Sequence, residues 1–180
     1  MLSLNRKKRK QSQRKQKKTP QNNTKPLVEK IELCAPVSGT VKALSDVPDK
    51  TFAEKVLGDG AAIIPEEGKV YAPADGTVAN IMDSKHGIMF VTDSGAEVLI
   101  HIGLDTVNLK GKYFKSYVSD GDKVKKGTLL VEFDLEAIKG EGYNLITPMV
   151  VTNISDYIKA VCMEKENTAI NAGDKFLTVV

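Results

Sequence analysis

The chain has no tryptophan, only two histidines and two cysteines, and aromatic side chains at just 6% of its 180 residues. Cys34 and Cys162 stand alone, with no C-x-x-C pair and no disulfide spacing pattern. A cysteine zinc finger, a thioredoxin-like redox motif and a disulfide-stapled fold are thereby excluded. In a chain with no export signal the two thiols are expected to be reduced packing residues. No stretch approaches the run of about 18 apolar residues that a membrane helix needs. If the protein serves transport, another polypeptide makes the pore.

Acid is missing from the first 26 residues, which hold ten Lys or Arg. The remainder carries sixteen basic and twenty-three acidic residues, a net of −7, so the formal +3 conceals a basic tail on an acidic body. The tail, MLSLNRKKRKQSQRKQKKTPQNNTKP, lacks the apolar core and cleavage pattern of a secretory signal. It also has too little apolar surface to offset the entropy of ordering, so residues 1–26 are read as a disordered arm. A solvated arm, attraction to an anionic membrane surface (favoured by the Met1-Leu2-Ser3-Leu4 start) and non-specific attraction to RNA or DNA all fit this composition. No specific nucleic-acid reader is expected.

What is present is an apolar content of 41%, enough for one domain with its own core over residues 27–180. From Val28 onward the pattern is short Val- and Leu-rich runs separated by Gly and Asp turns, with internal echoes. Ala35-Pro36-Val37-Ser38-Gly39-Thr40-Val41 returns as Ala72-Pro73-Ala74-Asp75-Gly76-Thr77-Val78, and more weakly at Thr147–Val151. Ser119–Leu130 partly returns at Asn171–Leu177. Repeated hairpin-sized units predict an all-β antiparallel barrel or sandwich. Helices are expected only at Lys112–Val118, Leu135–Lys139 and Ser155–Cys162. The same turn strings resemble biotinyl and lipoyl carrier domains, but the Met-Lys-Met of those carriers is missing.

Both histidines fall in one stretch, Asn80–Gly111. Gly87–Thr92 and Ala96–Ile102 flank Asp93-Ser94-Gly95, which reads as a β-hairpin. An even-length loop centred on Ser94-Gly95 pairs Thr92 with Glu97, Phe90 with Leu99 and Ile88 with His101. His86 then lies diagonal to His101 on a face shared with Ile88, Phe90 and Leu99, where low polarity favours neutral imidazole. A slip of one residue would separate the histidines. Three readings of the pair stay open. They are two structural histidines, a metal site for which only Asp105 and Asp83 could complete the ligand set, or a phosphoryl-accepting nucleophile with its helper.

The strings HGIMF and VLIHIGLDTVNLKG, with histidines fifteen positions apart, resemble the glucose-type enzyme IIA domain of the bacterial sugar phosphotransferase system. Supporting strings are FAEK…GDG within Asp46–Gly60, Ala35–Gly39 and Thr147-Pro148, so the resemblance covers about residues 28–180. It implies an all-β fold of the duplicated hybrid motif type and a cytoplasmic phosphocarrier. Such a carrier takes a phosphoryl group from HPr and passes it to a cysteine of the EIIB domain of an EIIB/EIIC sugar permease. Carried over by position, the resemblance makes His101 the acceptor through Nε2 and His86 the residue that steadies the phosphoryl group. Gly103 would fix the His101 tautomer through its carbonyl. Ser84, where the family usually has threonine, would orient His86, and Asp105 would tune the local charge. Phe52, Val56, Leu57, Met82, Leu99 and Val107 would form an apolar docking patch. Lys50 and Thr51 stand where the family commonly has apolar residues. No cofactor is required under this reading. A second role the resemblance implies is regulatory binding to transporters or kinases, with a zinc ion shared by His86, His101 and a partner's carboxylate.

Overall fold

In this computed structural model the described residues are 29–180, so the tail assigned to residues 1–26 lies outside them. Those residues form fourteen strands, two short helices and three 3-10 turns. The strands are β1 (Ile31–Cys34), β2 (Gly39–Ala43), β3 (Asp59–Pro65), β4 (Lys69–Tyr71), β5 (Gly76–Ile81), β6 (Gly87–Thr92) and β7 (Glu97–His101). They continue as β8 (Phe114–Ser116), β9 (Lys123–Val124), β10 (Leu129–Phe133), β11 (Thr147–Val151), β12 (Ala160–Cys162), β13 (Ala169–Ile170) and β14 (Lys175–Val179). Helix α1 is Lys50–Ala53 and α2 is Leu135–Gly140.

Every strand pairing is antiparallel. An eight-stranded sheet runs β13-β2-β3-β11-β7-β6-β5-β9, accompanied by the three-stranded sheets β1-β14-β12 and β4-β10-β8. The architecture is thus an all-β sandwich, and its main core draws on Ile88, Phe90, Val98, Ile100, Leu130, Met149 and Phe176.

The repeated strings explain the symmetry of that order. Cys34 N–H donates to the Pro73 carbonyl at 2.8 Å, and Tyr71 N–H donates to the Pro36 carbonyl at 2.8 Å. These are reciprocal bonds between equivalent positions of the two copies, the signature of a two-fold duplication. Gly39 pairs with Ile170 as Gly76 pairs with Val124, each at the entry to a copy's first long strand. At both glycines a Cβ would fall on a neighbouring backbone oxygen, 2.0 Å from that of Ile64 at Gly39 and 2.2 Å from that of Val91 at Gly76.

Two of the three expected helices are corrected. Lys112–Val118 is a turn leading into β8, and Ser155–Cys162 is a 3-10 turn followed by β12. Both segments meet a neighbouring strand, β10 or β14, whose ladder outweighs a weak local preference for helix. Leu135–Lys139 is helical within α2, capped by Asp134, whose Oδ1 accepts from Ala137 N–H at 3.0 Å. The one-turn helix α1 was not read from sequence.

Close backbone approach predicts a cost for any side chain at Gly39 or Gly76. Gly76→Ala should lose about 2–3 kcal/mol in urea unfolding through forced backbone displacement. Gly127→Ala, at a left-handed turn with open space around it, should lose about 1 kcal/mol. Equal losses at the two positions would contradict the packing account.

Candidate functional site

The hairpin of β6 and β7 carries the site, in a register different from the expected one. Gly87 faces His101, Ile88 faces Ile100, Met89 faces Leu99, Phe90 faces Val98 and Val91 faces Glu97. The loop is the odd-length Asp93-Ser94-Gly95, closed by Thr92 N–H to the Ala96 carbonyl at 2.9 Å, with Gly95 left-handed at φ 91°. A three-residue loop with a left-handed glycine shifts the pairing by one relative to a two-residue turn. Ile88 and Phe90 therefore point into the main core, away from the histidines, while Leu99 and Met89 share the face of His101.

The shift does not part the histidines, because His86 lies outside the ladder. Met82 to Lys85 form a turn closed by Lys85 N–H to the Met82 carbonyl at 2.7 Å, and Lys85 is left-handed at φ 59°. His86 follows that reversal, and its carbonyl takes Ile102 N–H at 2.7 Å, tying it to the strand end that carries His101. The two rings meet edge-on, with centroids 4.8 Å apart and planes at 84°. Gly87, opposite His101, has no side chain, and Met82 fills the space, with its Sδ 2.3 Å from where a Cβ would sit.

Beneath the pair lies a second, smaller core: Leu44, Val47, Phe52, Ala62, Leu99, Leu104, Ile146 and Val150, with Met82 and Met89 partly buried against it. Phe52 is buried on α1, and its ring stands 5.3 Å from that of His101. The helix starts because Asp49 caps it, its Oδ1 accepting from Thr51 N–H at 2.8 Å.

Each imidazole has its Nδ1 engaged. His101 Nδ1 is 2.7 Å from the Gly103 carbonyl. A carbonyl only accepts, so Nδ1 carries the proton and Nε2 holds the lone pair. His86 Nδ1 is 2.7 Å from Ser84 Oγ, and both side chains are buried. Burial, reinforced by the neighbouring His101, pushes His86 down to about 4 from an ordinary 6.5. Burial also lowers His101, opposed by the Gly103 carbonyl and by the charges of Asp49 and Asp105. Both rings are thus neutral near pH 7, and His101 is half-buried while His86 is only 5% exposed.

The sequence-derived docking residues divide into two layers. Phe52 and Leu99 are buried and Met82 is half-buried, whereas Val56, Leu57 and Val107 stand 70%, 39% and 51% exposed. Asp105 is exposed and left-handed at φ 57°, two residues beyond Gly103. Asp49, Met89, Leu104 and Ile146 were missed. Only Asp49 had a readable signal, as a helix-capping residue before Lys50-Thr51-Phe52-Ala53. Among the described residues no group of three or more His, Cys, Asp or Glu is arranged to hold a metal ion. None of their helices is long and apolar enough to cross a membrane.

With this fold and a paired-imidazole site on it, comparison with known proteins gives the class. The profile of the phosphoenolpyruvate-dependent sugar phosphotransferase system EIIA 1 family matches residues 31–157, and the chain belongs to that family. It is 46% identical over 146 residues to the PTS system glucose-specific EIIA component of Halalkalibacterium halodurans, an alignment covering 81% of this chain and 83% of that one. It is 53% identical over 123 residues to the PTS system beta-glucoside-specific EIIBCA component of Bacillus subtilis, covering 68% of this chain. It spans only about a fifth of that longer relative's length. The glucose permease IIA of Mycoplasma capricolum superposes with a TM-score of 0.74 at 32% identity, over 83% of this chain and 96% of the other.

The depressed His86 value has a consequence for stability. A histidine that is harder to protonate when folded than when unfolded favours the unfolded state as it takes up its proton. Stability is therefore retained above about pH 6.5 and lost as the pH falls toward 4. The His86 contribution across that window is up to about 3 kcal/mol. Urea unfolding at pH 7 and 4.5 should show a smaller acid loss in His86→Asn, whose amide can still meet Ser84, than in the wild type. Equal acid losses would mean that His86 is not buried neutral.

Proposed function

We propose that the chain is a cytoplasmic phosphocarrier of the sugar phosphotransferase system, accepting a phosphoryl group on His101 Nε2 from phospho-HPr and passing it to a cysteine of an EIIB domain. The observation that carries this reading is the pair itself: two neutral imidazoles in contact, with the Nδ1–H of His101 held by the Gly103 carbonyl. That bond aims a lone pair, not a proton, at the incoming phosphorus. In-line attack forms the Nε2–P bond as the donor's N–P bond breaks, while Nδ1 keeps its proton, hydrogen-bonded to the Gly103 carbonyl, and the positive charge left on the ring is discharged when Nε2 regains its electron pair. His86, with Ser84 donating to its Nδ1, presents an Nε2–H to the equatorial phosphoryl oxygens. Asp105 tunes the charge around the acceptor. Attack by the EIIB thiolate then breaks the Nε2–P bond, and the electron pair returns to Nε2. Sugar selection belongs to the EIIB/EIIC permease.

The patch around the pair supplies the docking surface. Val56, Leu57 and Val107 stand exposed, Phe52 packs beside the half-buried His101, and Phe52, Leu99 and Met82 belong to the small core. The same exposed patch favours a second role, in which the unphosphorylated protein binds and regulates transporters or kinases. A zinc ion fits that role only in part. His101 Nε2 supplies one donor and His86 Nε2 a second once its proton moves to Nδ1 against Ser84 Oγ, and tetrahedral zinc needs a partner's carboxylate and a further ligand. The basic tail gives a second point of attachment, to the anionic surface near a permease.

Phosphorylation with phosphoenolpyruvate, enzyme I and HPr, followed by intact mass, tests the reading. The wild type should gain one acid-labile phosphoryl group and His101→Ala none. His86→Ala should be labelled but pass the group to EIIB at a rate lower by about 10²-fold. An unlabelled wild type, with the partner proteins active on a known acceptor, would leave a binding module only.

A further inference from the structure

Two chain reversals meet beside the imidazole pair, and each ends on a left-handed lysine. Lys85 closes the Met82–Lys85 turn at φ 59° and immediately precedes His86. Lys110 closes the 3-10 turn Thr106–Leu109 at φ 52°, its N–H donating to the Val107 carbonyl at 3.0 Å. The two reversals come together at Gly111, the residue after Lys110, where a Cβ would lie 3.9 Å from Lys85 Nζ and 3.9 Å from Ser84 Cα. A left-handed backbone costs lysine more than glycine or asparagine, so a lysine kept there is kept for its side chain. Neither ammonium has a counter-charge. None of the ion pairs among the described residues involves Lys85 or Lys110, although the neighbouring Lys112 is held by Glu141 at 2.8 Å. Residues 1–28 contain no Asp or Glu, so the rest of the chain cannot supply one.

These lysines border the surface that a partner must cover. Lys85 adjoins His86 in the chain, and the turn closed by Lys110 presents Val107, which is 51% exposed. A partner seated there takes water from the rim, and an ammonium that loses water without gaining a counter-charge opposes the contact. Resting on the carrier reading above, we infer that Lys85 and Lys110 form a cationic ridge that recognises carboxylates presented by a partner protein at the edge of the docking surface. The body around the ridge carries sixteen basic and twenty-three acidic residues, so it repels an acidic partner over most of its surface. Attraction confined to one edge fixes how the partner is rotated about the imidazole pair. Lys85 is half-buried and gives the more directional contact, whereas the exposed Lys110 mainly steers the approach. Both recognise the partner, and neither acts on the transferred group.

The test uses the full chain with Lys85→Met, which keeps the stem, Lys85→Arg, which keeps the charge, and Lys110→Met. Transfer from phospho-HPr to each protein, and onward to EIIB, is followed against partner concentration at low and high salt. In at least one of the two steps Lys85→Met should raise KM about tenfold at unchanged kcat and weaken the dependence of KM on salt. Lys85→Arg should stay near the wild type, and Lys110→Met should raise KM in the same step by a smaller factor. An unchanged KM in both steps would overturn the inference. So would a rise in KM that arginine does not rescue, which would make Lys85 a packing residue, or a fall in kcat at unchanged KM, which would make it a support for His86. An unlabelled wild type would remove the carrier reading and this inference together, whereas a labelled wild type with KM unaltered by Lys85→Met would remove this inference alone.

Discussion

The pairing of β6 with β7 is the constraint on which the site depends. Side chains alternate along a strand, so one register sends Ile88, Phe90, Val98 and Ile100 to the main core and His101, Leu99 and Met89 to the other face. The left-handed Gly95 loop sets that register, and Gly87 falls opposite His101 because of it. Without a side chain there, the face has room for Met82 and for His86 arriving from outside the ladder. The imidazole pair is thus a product of strand pairing, assembled by a turn at each end of one strand.

The duplication makes the asymmetry of the site visible. Through the pairings of β2 with β3 and β5 with β6, Gly60 corresponds to Gly87, so Asp59 stands where the other copy has His86. Gly60 faces Val150 as Gly87 faces His101, which makes Val150 the counterpart of His101. One copy carries the histidines and the other carries none. Their connections differ in the same sense. Met82–His86 is a short turn between β5 and β6, while Leu44–Gly58 is a long excursion between β2 and β3. That excursion places Leu44, Val47 and Phe52 over Val150 and Leu99, and brings Asp49 and Phe52 toward His101 from the copy without chemistry. The face that carries the imidazoles therefore uses both halves, one for the histidines and the other for their packing.

Legibility followed the physical range of each signal. Local alternation of Val and Ile with Gly-Asp turns was enough for an all-β chain, and the echoed Ala-Pro strings marked the duplicated strand entries. The helices at Lys112–Val118 and Ser155–Cys162 were misread because their weak local preference met a distant ladder, from β10 or β14, that no short window contains. The hairpin register was misread because Ser94-Gly95 as a two-residue turn and Asp93-Ser94-Gly95 as a three-residue loop share the same letters. Asp49 was passed over because it matters through the fold: it caps the turn that carries Phe52, whose ring packs against one 49 positions away in the chain.

The sequence by itself determined the chemistry available: two imidazoles, a serine hydroxyl two residues before one and a glycine two residues after the other. It also determined an all-β frame, because alternation and turn residues act over a few positions. Only the tertiary structure decided which faces the side chains occupy and how near the rings come. It decided too that burial lowers both histidines, with the Phe52 ring packed beside His101 from a separate segment. Desolvation and through-space charge add up over whatever the fold gathers around a group, and that sum has no counterpart in the order of residues along the chain.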